Sequence, residues 1–525
     1  MRLGLAIVAL VLVANAVALA PELSISLTDS SHSTTQFALV QGMVQASQSG
    51  GNPLDFWSPE FGLGVSAFRI YQPLAHALAA VAAWFAPKGA DLATVFHWVS
   101  YLAAVLLPLS FFACGRLLGF SPPACTTAAL LAPLVMSSEF PQSVATHFLL
   151  LSVGFCYRTL RRGSHPTASG VMLGLTALCR FTFGALGAVA VVAMALMPDA
   201  KAPRGARIAR ALWIGSVALA LTAFQILPWL QDRPLGGRDS LPTEEWPAYW
   251  MPAAVMAGAW ALGWIWRAAA PRLTVAAPIV LIAALAFPPA KERAAFLTAE
   301  ARSGRANLAA FQAERRDINL VVDQVRANGG RVYSGSTQIR AMPFDRFLLV
   351  AGVPAIARFD ANNAEDYRRF NVSSLITSQA AVPGFLQQRA QIGRFRIFDT
   401  PASGYFDVAE EGGAVVANRQ NGQVYEADVE VSRAANLVFR MSWHPNWKVL
   451  VDGMARPTVM LAPGFVGAAL EPGRHQVVCR YQPDGVRALF GFAGIAAVLL
   501  FFAVEKFGGL GLEGNRGRSR RKRRR

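Results

Sequence analysis

The sequence predicts an α-helical polytopic membrane protein of about ten spans, carrying a C-terminal extracytoplasmic domain with an α/β portion and a β-sandwich. Three observations predict it. First, only 15% of the 525 residues are charged and 54% are hydrophobic, whereas soluble domains carry about a quarter charged residues. The deficit is concentrated in residues 1–20, 94–137, 145–198, 208–230, 250–289 and 486–504. Second, the cations between these segments fall on alternate turns, as the positive-inside rule requires. Third, residues 394–483 read as short alternating strands punctuated by turn residues.

The opening "MRLGLAIVALVLVANAVALA" could pass for a signal peptide. Its apolar run is long for one and further spans follow, so we read it as a retained helix over 3–20. Further spans are expected near 94–113, 123–137, 145–160, 167–180, 183–198, 208–230, 250–267, 273–289 and 486–504. With the N-terminus inside, the cytoplasmic turns carry Arg116, then Arg158, Arg161 and Arg162, then Lys201, Arg204, Arg207 and Arg210, then Arg267 and Arg272, and finally Lys506. Residues 71–88 are apolar enough to look like a span, but counting them would put every later cationic turn outside. We place them in the long first outer loop, residues 21–93, as a helix lying in the membrane interface.

The extracytoplasmic domain is expected to start with a helical and α/β portion, residues 290–393. The β-sandwich should follow over 394–485, then the last span and a basic cytoplasmic tail, 505–525. In "HPNWKVLVDG", Asp452–Gly453 reads as a hairpin turn and Trp447 as a sandwich aromatic rather than a sugar platform.

The net charge of +17 is explained by cytoplasmic turns and by the tail "RGRSRRKRRR", which suits anionic lipid head groups. A nucleic-acid partner is not expected. Of five cysteines only Cys479 lies in the soluble domain, and no C-x-x-C occurs, so neither a disulfide within that domain nor a zinc site has support.

The outer turns hold the residues that could carry chemistry. The first loop supplies Asp29, His32, Asp55, Glu60, Arg69 and His76. The turn "MSSEFPQSVATH" supplies Glu139 and His147, and the tight turn "LCRFTFG" supplies Arg180. Asp232, Arg233, Arg238, Asp239, Glu244 and Glu245 come from the loop after residue 230. Charged groups at a membrane edge are solvated, paired or functional.

The acid-x-x-His step of Asp29 and His32, followed by "FWSPEFGLGVSAFRIYQPL", resembles the first outer loop of bacterial YfhO-type membrane proteins, members of the GT-C group of glycosyltransferases. "FNVSSLITS" and "MSWHPNWKVLVDGMARPTVMLAPGFVGAALEPGRHQVVCRYQP" are similar to the C-terminal part of the same family. The middle spans match only in being apolar. The resemblance implies an enzyme of the bacterial inner membrane. It would move a sugar from a polyprenyl-phosphate donor to an envelope glycan, lipid or protein acceptor and invert the anomeric centre.

On that reading Asp29 is the general base. His32 orients it, touches phosphate or ligates a metal. Glu139 is a second acid, for the acceptor or a metal. Arg69 and Arg180 are candidates for the phosphate, and Tyr71 and His76 belong to the substrate groove formed by the interfacial helix. A divalent metal ion is a candidate cofactor, but the family's adjacent pair of acids is missing after Asp29, so its ligands stay unassigned. The competing readings are a non-catalytic assembly protein and a transporter or flippase of lipid-linked glycans.

Overall fold

The computed structural model describes residues 2–135, 140–198, 202–232, 247–269, 276–379, 381–409, 412–421 and 423–507. Its membrane part is helical. It comprises α1 (Arg2–Leu19), α2 (Ser31–Gln48), α3 (Ala67–Ile70), α4 (Leu74–Trp84), α5 (Leu92–Val105), α6 (Leu107–Leu118), α7 (Pro122–Leu131), α8 (Phe140–Arg162), α9 (Pro166–Cys179), α10 (Phe181–Leu196), α11 (Arg204–Asp232) and α12 (Pro247–Ala269). Then α13 (Ala276–Asn328) leads into the soluble domain, and α16 (Gly485–Phe507) returns from it.

Among the described residues, four helical stretches are both long and apolar enough to cross a membrane: Gly4–Ser24, Leu92–Leu118, Arg204–Asp232 and Gly485–Phe507. The expected ten is therefore not reached on this criterion. α9 and α10 are apolar but short, with 14 and 16 residues. α8 has 23 residues, yet it buries Gln142, Ser143 and Thr146 against neighbouring helices, which lowers its apolarity. α4 has 11 residues, a rise of about 16 Å, roughly half a hydrocarbon core.

The described cationic turns around residues 160, 165, 207–210 and 505 gather at one end of the bundle. Arg210 donates to the Leu160 carbonyl at 2.8 Å, Arg207 to the Met194 carbonyl at 3.3 Å, and Glu505 lies 3.9 Å from His165. The soluble domain sits at the other end. α13 joins the two parts without a break, 53 residues long, or about 80 Å. The boundary expected at residue 290 falls inside it.

The α/β portion follows as β1 (Arg331–Tyr333), β2 (Gln338–Ile339), β3 (Met342–Pro343), α14 (Phe344–Val350), α15 (Ala364–Arg369), β4 (Val372–Thr377), β5 (Gln387–Ile392) and β6 (Phe395–Asp399). Its sheet has the order β1-β4-β6-β5, with β1 and β4 parallel. β6, which the sequence groups with the sandwich, pairs here because Leu375 and Ile376 face Phe398 and Ile397 across the ladder.

The sandwich consists of β7 (Phe406–Val408), β8 (Gly413–Asn421), β9 (Val424–Val431), β10 (Ala435–Ser442), β11 (Trp447–Val451), β12 (Met454–Arg456), β13 (Val459–Leu461), β14 (Phe465–Leu470) and β15 (Gly473–Tyr481). Its two sheets have the orders β13-β14-β10-β7 and β12-β11-β15-β9-β8. Alternate residues of each strand face one core that includes Phe439, Trp447, Val449 and Val477. Trp447 is fully buried there and contributes packing, not a sugar platform. Asp452 and Gly453 have φ of 52° and 79° and turn β11 into β12, the paired positive φ of a type I′ hairpin.

The first outer loop is the joint between these parts. Trp57 inserts into the sandwich core, its ring 5.0 Å from that of Trp447 and 5.3 Å from that of Tyr481. Gly64 has φ of 89°, and a Cβ there would lie 2.3 Å from the Trp57 indole. The Gly-x-Gly step thus closes the loop under the tryptophan. Arg331, fully buried, donates to the carbonyls of Gly62 at 2.8 Å, Phe370 at 2.7 Å and Arg440 at 2.7 Å. One side chain thereby ties the loop, the α/β portion and the sandwich together.

Candidate functional site

Asp29 precedes the N-cap residue Ser30 of α2, at the junction of helices and soluble domain. Its carboxylate Oδ1 accepts a hydrogen bond from Asn307 Nδ2 on α13, and Asn307 Oδ1 accepts from Arg340 at 2.7 Å. Arg346 on α14 donates to the backbone carbonyls of Thr28 and Asp29 at 3.0 and 2.7 Å. Oδ2 has no hydrogen-bond partner among the described residues. One oxygen is anchored and the other is available, which is the geometry a general base needs.

Asp29 lines a cleft of about 120 Å³ together with His32, Gln36, His97, Phe140 and Glu300. His32 is thus placed beside it, one helical turn on. Behind the cleft, Gln36 links two other predicted residues. It donates to the Tyr71 hydroxyl at 3.1 Å, and its Oε1 lies 2.5 Å from His76 Nε2. His76 is fully buried among Phe68, Tyr71 and Phe140. Burial pushes its imidazole down to about 3, so it is neutral. It therefore positions Gln36 and does not line the groove itself, as the sequence reading had it.

A second cavity, of about 560 Å³, lies on the other side of the N-terminal turns of α2. Thr35, Glu60, Asp345, Arg346 and Arg358 line it. Arg346 is its wall on the side of Asp29. Burial raises the Glu60 carboxyl from 4.5 to about 7, against the opposing pull of a backbone hydrogen bond. Burial also raises Asp345, whose Oδ1 is buried with no hydrogen-bond partner among the described residues.

The Glu60 shift makes a stability prediction. The native state holds this proton more tightly than the unfolded chain, so the Glu60 contribution is fully present below pH 4.5 and is lost as pH rises through about 7. Glu60→Gln is expected to flatten the fall of the melting midpoint across that window. An unchanged slope contradicts the assignment.

Arg69 is corrected. Its guanidinium is 2% exposed and lies 2.5 Å from Asp232, 3.1 Å from Asp55 and 3.4 Å from Asp484. Burial opposes its charge, but the hydrogen bond with Asp232 and the fields of Asp55 and Asp232 hold it above the usual arginine range. Asp55, Asp232 and Asp484 engage this guanidinium, so its contacts here are structural and it does not face the cleft. The cluster continues through His444, 3.2 Å from Asp232, Tyr481, which donates to Asp55 at 2.9 Å, and Arg487, which donates to the Phe68 carbonyl at 2.8 Å. It fastens the first loop, α11, the sandwich and α16 to one another.

Arg180 is the N-cap of α10 and buried, at the soluble-domain end of the bundle. Cys179 and Phe183 beside it belong to the apolar cluster that also holds Phe96 and Phe140 of the cleft. Arg180 itself does not line the cleft. Glu139, Arg233, Arg238, Asp239, Glu244, Glu245 and the basic tail lie outside the described residues.

A divalent ion needs several oxygen or nitrogen ligands. Asp29, His32 and Glu300 share the cleft, yet among the described residues no three His, Cys, Asp or Glu side chains lie close enough to hold one. The described donor set does not by itself make a metal site, and no step is routed through a metal ion.

Sequence reasoning missed Asn307, Arg340, Arg346 and Glu300. Each lies far along the chain from Asp29 in an ordinary-looking polar stretch, and no local pattern marks it. With Asp29 read as a general base, Asn307→Ala is expected to lower turnover by up to about 100-fold with little change in KM, because the carboxylate loses its anchor. A variant that changes KM alone contradicts a positioning role.

No protein-family profile matches the chain, and no curated protein matches it. Among solved structures, the chain is similar to the arabinofuranosyltransferase AftD from mycobacteria, at 12% identity and a TM-score of 0.43, over 89% of this chain and 57% of that one. It is also similar to the oligosaccharyltransferase of Archaeoglobus fulgidus, at 12% identity and a TM-score of 0.42, over 70% of this chain and 67% of that one. The chain thus spans little more than half the length of the arabinofuranosyltransferase. Scores of this size carry no functional weight, so the reading rests on this chain's own residues.

Proposed function

We propose that the protein is a membrane glycosyltransferase that takes a sugar from a polyprenyl-phosphate donor and passes it, with inversion, to an acceptor hydroxyl of the bacterial cell envelope. The observation that carries this reading is the position of Asp29. One carboxylate oxygen is fixed by Asn307, and the residue stands between a cleft among helices and a cavity under the soluble domain.

The donor's phosphate would enter from the membrane edge into the cleft. The body of the acceptor would lie in the larger cavity, where Thr35, Glu60 and Asp345 offer hydrogen bonds to a polyhydroxylated chain, with its reacting hydroxyl reaching past Arg346 into the cleft that Asp29 lines. Asp29 Oδ2 takes the acceptor proton as its oxygen attacks the anomeric carbon. The departing group is a phosphate, which needs cations rather than a strong acid. Arg180, set behind the cleft wall with its neighbours Cys179 and Phe183 in the cluster that holds Phe96 and Phe140, is our candidate for that role and would have to turn into the cleft to fill it, since a guanidinium pairs well with phosphate oxygens. His32, beside Asp29, contacts the phosphate or orients the base. Glu139 stays a proposed second acid. The resemblance of the first loop and the sandwich to YfhO-type proteins supports the same reading.

Deleting the gene should remove an envelope glycan and raise the pool of its lipid-linked donor. A deletion strain in which both pools match wild type would remove the proposal. Restoring the strain with Arg180→Gln should leave the donor pool raised, whereas an exposed control such as Arg326→Gln restores it.

A further inference from the structure

The end of the bundle far from Asp29 holds a cavity of about 530 Å³ that the transferase reading does not use. α8 connects the two ends. Phe140 and Ser143 line the outer cleft, while Tyr157, Arg158, Arg161 and Arg162 line this cavity. The 23 residues of α8 rise about 34 Å, close to a bilayer's hydrocarbon thickness of about 30 Å. The cavity therefore lies at the level of the opposite head groups.

Its chemistry is one-sided. Arg158, Arg161 and Arg162 are spaced i, i+3 and i+4, which puts them on one face of α8. Among the described residues no carboxylate lines the cavity. Arg161 is held in place by the Tyr157 hydroxyl, with its guanidinium 5.1 Å from the centre of the Tyr157 ring. Arg158 and Arg162 are exposed and have no hydrogen-bond or ion-pair partner among the described residues. Ser121, the N-cap of α7, also lines the cavity, and its Oγ is buried with no hydrogen-bond partner among the described residues.

A cation in the last turn of a helix can simply complement the helix dipole. That need is already met here, because Arg210 donates to the Leu160 carbonyl at 2.8 Å and Arg207 serves the end of α10. The two neighbouring arginines thus show what a structural arginine does at this end: it is buried and bound to backbone. Arg158 and Arg162 do neither. Trp260, 53% exposed on α12, closes one side of the cavity. An exposed indole beside cations suits the interface between acyl chains and head groups.

We infer that this cavity binds the phosphate of an anionic glycerophospholipid, with Arg158 and Arg162 pairing its oxygens, Arg161 and Ser121 behind them, and Trp260 against the upper acyl chain. Basic pockets between helices at this level are suited to such head groups. A free phosphate offers the same oxygens but not the chain that would lie on Trp260.

The test uses the full-length protein in phosphatidylcholine nanodiscs with graded amounts of dioleoyl-phosphatidylglycerol, reading retained lipid by native mass spectrometry. Wild type should retain phosphatidylglycerol, and Arg158→Gln with Arg162→Gln should weaken retention roughly thirty-fold. The basic tail is present in every sample, so its own attraction cancels. Arg158→Lys with Arg162→Lys should keep most of the retention at the wild-type melting midpoint. Equal retention by wild type and the Gln pair overturns the inference, as does equal loss in the Lys and Gln pairs. Full displacement of the lipid by an equal concentration of inorganic phosphate would make the cavity a free-anion site and overturn the lipid assignment.

Discussion

Asp29→Asn is expected to lower sugar transfer by about 10²–10⁴-fold while the protein inserts and folds normally. The size is that of removing a general base, the role proposed for Asp29, from a proton-transfer step. Normal folding follows from the hydrogen bonds around Asp29, because an asparagine oxygen can still accept from Asn307, and the two Arg346 bonds go to backbone carbonyls. Donor binding should survive, so the loss belongs in turnover rather than KM. Kinetics with purified protein and its lipid-linked donor check this. A variant whose KM rises at unchanged turnover would make Asp29 a binding group and remove it as the base.

Arg69→Ala should have the largest effect on stability. The substitution leaves Asp55 and Asp232, both essentially buried, without their main cation. Removing one partner of a buried ion pair costs about 3–5 kcal/mol, a large share of a typical folding free energy. The cluster joins the first loop, α11, the sandwich and α16, so the loss should loosen the soluble domain from the bundle. Limited proteolysis near residues 482–486 should become faster, and the melting midpoint should fall. Replacing Asp55 and Asp232 by Asn in the same chain should restore part of the loss, since the uncompensated charges then disappear. A midpoint within error of wild type for Arg69→Ala would contradict the structural role and reopen the phosphate role.

The membrane character, the alternation of cationic turns and the β-rich C-terminal region were legible in the sequence because each is a repeated local pattern. Alternating residues and the Asp452–Gly453 turn mark the strands within a window of ten residues. α2 was not legible. "SHSTTQFALVQGMVQASQ" carries no strong apolar period, and it is helical because it is packed against α4 and α14. The continuity of α13 was hidden for the opposite reason, since its apolar and charged halves differ in composition and nothing local says that the helix continues.

The candidate site shows the same division. Asp29 and His32 stood out as an acid and an imidazole at a membrane edge, and both line one cleft. Arg69 stood out equally, yet its partners lie 14, 163 and 415 residues away in sequence. Only the fold reveals that it is saturated. Asn307 and Arg346 carry no signature, because a positioning residue is defined by its neighbour and not by its type.

The most direct test of the account measures the lipid-linked donor and its glycan product in a deletion strain that produces either wild type or Asp29→Asn at matched membrane levels. Wild type should restore the glycan and clear the donor, while Asp29→Asn should leave the donor accumulated. Full restoration by Asp29→Asn would contradict it. The acid at the membrane edge would then be a loop residue held by Asn307 and Arg346, and the protein would serve assembly or transport instead.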